Sequence, residues 1–317
     1  MNRLQSFVTV ITVVIAGDFV EGALKKDLLN KCKRNAKMLR LWVSIVCFAK
    51  MSSSYFSRTH MFLGEMLYNS LEEQTLQRIH AQTGVYNFKI DSVWADKVKA
   101  NPKYKWSYNL HFIDMYNCSK GNIGNHDFQN IVNMYCKDGC IYDAILNMTN
   151  SLRDNNYNQR LTTIKDQVNA NEQMKFLLHF LQDIHQPMHL LGYERGGNDY
   201  RINLYKDNHI LHTNMHTLWD SILPEHYIQN DIGYDSKAHQ CDDYALVKSF
   251  NSMTSYKNEL LNVIENIYTF GCRNIYIGRK RDIVFDDYYN KTDMEFLFKS
   301  YCTFARNTML FVSELKN

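Results

Sequence analysis

Apolar residues recur at helical spacing over most of the chain beyond residue 54. In MFLGEMLYNSLEEQTLQRIH (61–80) Met61, Leu63, Met66, Leu67, Leu71 and Leu76 fall largely on one face. NEQMKFLLHFLQDIH (171–185) does the same with Met174, Phe176, Leu177, Phe180 and Leu181. SYCTFARNTMLFVSELKN (300–317) predicts a closing helix with Phe304, Met309, Leu310, Val312 and Leu315 inward. The best strand candidate is DYRINLY (199–205), just behind Gly196-Gly197. Only three prolines and 13 glycines interrupt 317 residues, which argues against an all-β chain. No linker, repeat or low-complexity block follows residue 54, so the pattern predicts one mainly α domain over 55–317.

Residues 1–54 have a different character. Two short apolar runs stand there, 6–16 (SFVTVITVVIA) and 41–49 (LWVSIVCFA), and neither approaches the roughly 18 residues of a spanning helix. The second follows a basic stretch, KCKRNAKMLR, and precedes Ser52-Ser53-Ser54. That is the layout of a secretory signal, with cleavage after Ser54 making Tyr55 the new N-terminus. Met38, just ahead of this run, is a candidate true start; an uncut N-terminal anchor is the alternative. Nine of the 36 Lys and Arg and three of the 33 Asp and Glu lie in residues 1–54, so the +3 of the chain becomes 27 basic against 30 acidic groups, or −3, beyond it. A protein that gripped nucleic acid mainly through surface lysine and arginine would want the opposite sign.

The cysteines agree with export. Apart from Cys32 and Cys47 there are six, Cys118, Cys136, Cys140, Cys241, Cys272 and Cys302, an even number as a disulfide framework requires. None forms a C-x-x-C pair, which argues against a thiolate zinc site. Sequons at Asn117, Asn147 and Asn290 fit a lumenal route to a secreted or vacuolar destination.

Chemistry concentrates in histidine and aspartate. His179 and Asp183 stand at i and i+4 in the apolar helix 171–185, sharing a face, and His216 and Asp220 repeat the spacing in HTLWD. His189 follows Asp183 by six residues, past Pro187. His111 and Asp114 bracket HFID, and Asp96 lies 15 residues before His111. One such pair is usually a surface contact. Several inside one stretch, with a charge on an otherwise apolar helix face, point to a cation held by imidazole nitrogen and carboxylate oxygen.

HFLQDIHQPMHLLGYERGGNDYRINL (179–204) resembles the core signature of the S1/P1 zinc-dependent nucleases. So do WADKVKANPKYKWSYNLHFID (94–114), CKDGCIYDAILNMTNSL (136–152) and NMHTLWDS (214–221). The resemblance runs from Tyr55 onward and is dense between 94 and 221. It implies a single-domain helical fold, phospholipase C-like, with three zinc ions in a cleft. One zinc of a close pair would be held by Asp96, His111, His179 and Asp183. Its neighbour would take His60, Asp183 as the bridge, and the main-chain amine and carbonyl of the mature first residue, Tyr55. The third would take His189, His216 and Asp220. The family usually begins with tryptophan five residues before its first histidine, often in W-G-x-x-G-H; here the stretch is Tyr55-Phe56-Ser57-Arg58-Thr59-His60.

The implied activity is a secreted endonuclease and 3′-nucleotidase on single-stranded RNA and DNA and on 3′-nucleotides. It would release 5′-phosphates through a zinc-activated hydroxide, as a monomer without a stable protein partner. Lys99 stands where the family has a transition-state arginine, cationic but without the planar fork. Phe112 would stack a base and Asp114 would hydrogen-bond it, with Arg195 as the opposite wall beside Asn198; stacking needs an unpaired base. The family also implies the pairings Cys118–Cys241 and Cys136–Cys140, leaving Cys272–Cys302. Two other readings compete: a zinc phospholipase C of related fold, which generally bridges with glutamate rather than an Asp183, and a binding protein that keeps the fold without catalysis.

Overall fold

The computed structural model describes residues 58–116, 118, 125–154, 168–233, 241, 250–276 and 281–313. The segment 1–54, Tyr55 and the sequon asparagine Asn117 lie outside them.

The described chain is mainly α. Its longer helices are α1 (58–70), α2 (Glu73–Thr83), α3 (Asn125–Tyr135), α4 (Ile141–Asp154), α5 (Ala170–Asp183), α6 (Met253–Gly271) and α7 (Met294–Ser313). The single helix predicted over 61–80 is two, α1 and α2. Ser70 is the reason: its hydroxyl donates to the Leu67 carbonyl at 2.8 Å, and Leu71 N–H turns to Tyr68 instead, tightening and ending the helix.

α5 starts on a capping box, Asn169 accepting from the Glu172 amide at 2.9 Å while the Glu172 carboxylate accepts from the Asn169 amide. From Gln173 on, all its residues but Lys175 are buried or nearly so, as expected of a helix enclosed by its neighbours. Phe176 packs edge-on to Trp94 and against Tyr104 and Trp106, while α2, α4 and α7 close around the rest. Past α5 the chain turns through a 3-10 segment, Pro187–His189. Residues 113–115 then run alongside 189–191, with Ile113 N–H on the His189 carbonyl at 2.8 Å.

The predicted strand is present as β1 (Arg201–Lys206). It pairs antiparallel with β2 (His209–Asn214) through a tight turn at Asp207-Asn208, both at positive φ, and parallel with β3 (Asp282–Val284). Strand order is β2-β1-β3. No helix among the described residues is long and apolar enough to cross a membrane.

All six cysteines are paired, but two of the three bridges differ from those the resemblance implies. Cys136 joins Cys140 as expected. Cys118 joins Cys272 at the end of α6, with 5.3 Å between Cα atoms, and Cys241 joins Cys302 in α7, at 5.1 Å. Disulfides need Cα atoms within about 7 Å, a condition the fold and not the spacing decides. The sequon at Asn147 sits inside α4, and its Thr149 is fully buried with its hydroxyl 3.1 Å from that of Tyr256. Asn290 ends a short surface helix, Phe285–Tyr289.

Candidate metal centre

The helix pitch puts His179 and Asp183 on the same side of α5, and four other segments converge on them. α1 brings His60, the short helix Trp94–Val98 brings Asp96, and the 3-10 segment Pro102–His111 ends on His111. His189 comes from the turn beyond α5. Asp183, 1% exposed, divides its two oxygens: Oδ1 lies 3.6 Å from His60 Nε2, while Oδ2 lies 2.9 Å from His111 Nδ1 and 3.1 Å from His179 Nε2. Asp96 Oδ1 stands 3.5 Å from His179 Nε2 and 3.8 Å from His111 Nδ1.

His216 and Asp220 follow β2, on a helical stretch that widens to a π turn at Leu218–Ile222. Asp220 Oδ1 is 3.6 Å from His189 Nε2, and the His189 and His216 rings stack at 5.1 Å. The Gln186 amide donates to Asp220 at 3.3 Å. Three groups at this centre bring one donor atom from each member within 4.8 Å of one another: His60, His179 and Asp183; Asp96, His111 and His179; His189, His216 and Asp220.

Each of four imidazoles has its Nδ1 engaged by an oxygen outside the carboxylates. His179 donates to the Ser92 carbonyl at 2.7 Å, His189 to that of His111 at 2.7 Å, and His216 to that of Gly196 at 2.8 Å. His60 donates to the side-chain oxygen of Gln182. Once neutral, a ring that donates through Nδ1 keeps a lone pair on Nε2, the arrangement a metal ligand needs. The Nε2 atoms of His111 and His189 are buried with no hydrogen-bond partner.

The charges tell the same story. Burial alone would raise Asp183 and Asp96, yet the neighbouring His179 holds both well below the usual carboxylate range. Asp220 is likewise held at about 2, burial being overcome by His189 and His216. Burial lowers His60, His111 and His216, whereas Asp183 and Asp220 overcome burial to lift His189 to about 9. Three ionised carboxylates thus face imidazoles that cannot all carry protons. Borderline divalent cations answer such a donor set of nitrogen and oxygen, and these residues fit zinc.

Around the cluster, Lys99 Nζ pairs with Asp96 Oδ1 at 2.8 Å; burial alone would lower this lysine, but Asp96 keeps it raised and charged. Phe112 is half-buried, directly after His111, and edges Tyr108. Asp114, also half-buried, is raised by burial, against a lowering pull from His189. Arg195 is exposed and pairs with Asp199 at 3.1 Å, while the Asn198 side chain donates to the Arg195 carbonyl at 2.9 Å and braces that turn. His185, outside the predicted ligand pattern, is a core residue: its Nδ1 bonds the Leu181 carbonyl at 2.7 Å and its ring meets Tyr301 edge-on. Sequence reasoning missed Gln182 and Gln186, although a glutamine beside Asp183 in so apolar a helix was a visible signal.

A helical domain that encloses an Asp/His cluster, read from the chain above, has a family counterpart. The S1/P1 nuclease model matches residues 55–301, and the chain belongs to that family. It is similar to Endonuclease 3 of Arabidopsis thaliana, 32% identical over 136 residues, or 42% of this chain and 40% of that protein. Nuclease P1 of Penicillium citrinum is 33% identical over 135 residues, 43% and 44% of the two chains. Endonuclease 1 of Arabidopsis thaliana is 30% identical over 206 residues, 61% and 63% of the two. The chain thus spans less than half the length of the first two relatives.

Proposed function

We propose that this chain hydrolyses phosphodiester bonds of single-stranded RNA and DNA, and the phosphate of 3′-nucleotides, with three zinc ions held by the residues above. The observation that carries this reading is the division of Asp183, one oxygen toward His60 and the other toward His111 and His179. A carboxylate so placed suits a bridge between two cations, and His189, His216 and Asp220 would hold a third. Zinc bound there supplies Lewis acidity and water acidified toward neutral pH. The chain's own residues do the rest. Phe112 offers a ring for an unpaired base, Asp114 accepts a hydrogen bond from that base, and Lys99 adds positive charge beside Asp96. Metal and lysine together offset the phosphate charge that the acidic body would repel.

Three disulfides support a secretory route, and the family match beginning at Tyr55 supports Tyr55 as the mature first residue whose main-chain atoms complete the His60 site. The test is Asp183→Asn in protein secreted from a eukaryotic host. Elemental analysis should show loss of two zincs of three, and hydrolysis of single-stranded RNA should fall at least a thousandfold. Loss of the His189 zinc alone would contradict the assignment. Native protein that cleaves a phosphatidylcholine analogue instead of RNA would favour the phospholipase reading, and zinc without any hydrolysis the binding-protein reading.

A further inference from the structure

We propose that Gln182 is a positioning residue that sets the tautomer of His60, an assignment that rests on the metal reading above and adds to it a residue from outside the donor groups. Of the four imidazoles with an outward Nδ1, three donate to main-chain carbonyls, Ser92, His111 and Gly196. Those acceptors are fixed by the fold. His60 alone among them donates to a side chain, the Oε1 of Gln182.

The placement follows from helix geometry. Gln182 directly precedes Asp183 on α5, so its side chain leaves the helix about 100° away from the His179/Asp183 face. It points to α1 and is 3% exposed. Its Nε2 is buried beside the Tyr301 hydroxyl, while its oxygen takes the His60 hydrogen bond that offsets burial of the amide. The His60 ring stacks on His179 at 4.3 Å with 26° between planes, and the Ser92 hydroxyl, donating to the His60 carbonyl at 2.8 Å, ties the two segments together.

What the amide decides is which nitrogen carries the proton. With Oε1 toward the ring, Nδ1 is protonated and the Nε2 lone pair faces Asp183 Oδ1 across 3.6 Å, open to a cation. With the amide reversed, its NH2 would donate to Nδ1, and the ring proton would move to Nε2 and point at Asp183. That tautomer is satisfied without metal and must be undone before metal binds. The orientation present favours loading.

The test uses the secreted protein stripped of metal, with 15N-labelled histidine. The native His60 should give the spectrum of the Nδ1–H tautomer. Gln182→Leu should lose it and bind zinc at the His60 site ten- to a hundredfold more weakly in chelator competition, the range seen when such supporting partners are removed. Gln182→Glu, which keeps the acceptor, should restore both, and zinc at His189, His216 and Asp220 should be unaffected throughout. A native His60 protonated at Nε2, or a Gln182→Leu zinc titration that overlays the native one, would overturn the assignment. Should the leucine variant fail to fold, the tautomer spectrum of the native protein decides alone. Native protein that binds no zinc would sink the metal reading, and the tautomer would still test Gln182.

Discussion

Glu225 is 4% exposed on the short helix Leu223–Tyr227, and its Oε1 meets no donor among the described residues. Burial pushes its pKa from 4.5 up to about 7, against a lowering pull from Arg58. Below the unfolded value both states are protonated and stability is intact. As pH rises toward 7 the unfolded chain releases its proton first, so stability is lost across that window. Allowing for partial water access, the loss is about 1–2 kcal/mol. Glu225→Gln should therefore match the native protein in urea unfolding at pH 4 and exceed it by that amount at pH 8. A variant with the native pH slope would show that Glu225 is ionised at no cost. Nothing in the sequence marked this residue, because the burial of one glutamate depends on how the segment after Asp220 packs.

The turn before β1 is left-handed over four consecutive residues, with φ of 50° at Glu194, 54° at Arg195, 61° at Gly196 and 77° at Gly197. Left-handed backbone costs a residue with a side chain roughly 1–2 kcal/mol, and here it aims the Gly196 carbonyl at His216. A Cβ on Gly197 would collide with Met188 Cε and lie 3.0 Å from the His216 main-chain nitrogen, whereas one on Gly233, at φ 83°, meets nothing within 4 Å. Gly233→Ala should lose about 1–2 kcal/mol in chemical denaturation, and Gly197→Ala about 2–4, with crowding added to strain. Equal losses would mean the turn yields without resistance. At this scale α5 and β1 were legible, since their periods of 3.6 and 2 persist long enough to be read. The glycine pair was visible too. That Glu194 and Arg195 join the left-handed turn was not, nor was the break at Ser70, because both depend on local hydrogen bonding rather than on periodicity.

For the molecule as a whole, the eight histidines and aspartates that converge at the centre could be named from spacing and resemblance, but the wiring between distant cysteines could not. The Cys118–Cys272 bridge spans 154 residues, Cys241–Cys302 spans 61 and Cys136–Cys140 only 4. Chain-entropy reasoning ranks their contributions at about 5, 4 and 2 kcal/mol. Non-reducing peptide mapping should recover these partners. Serine at both positions of each bridge in turn should lower stability in that order. A peptide joining Cys118 to Cys241 would refute the connectivity.

α5 is enclosed by α2, α4 and α7, and it carries both His179 and Asp183. Anchors rooted in the interior take their positions when the core closes, before any cation arrives. Little backbone freedom then remains to be surrendered on loading. A cation entering this centre would meet a finished scaffold.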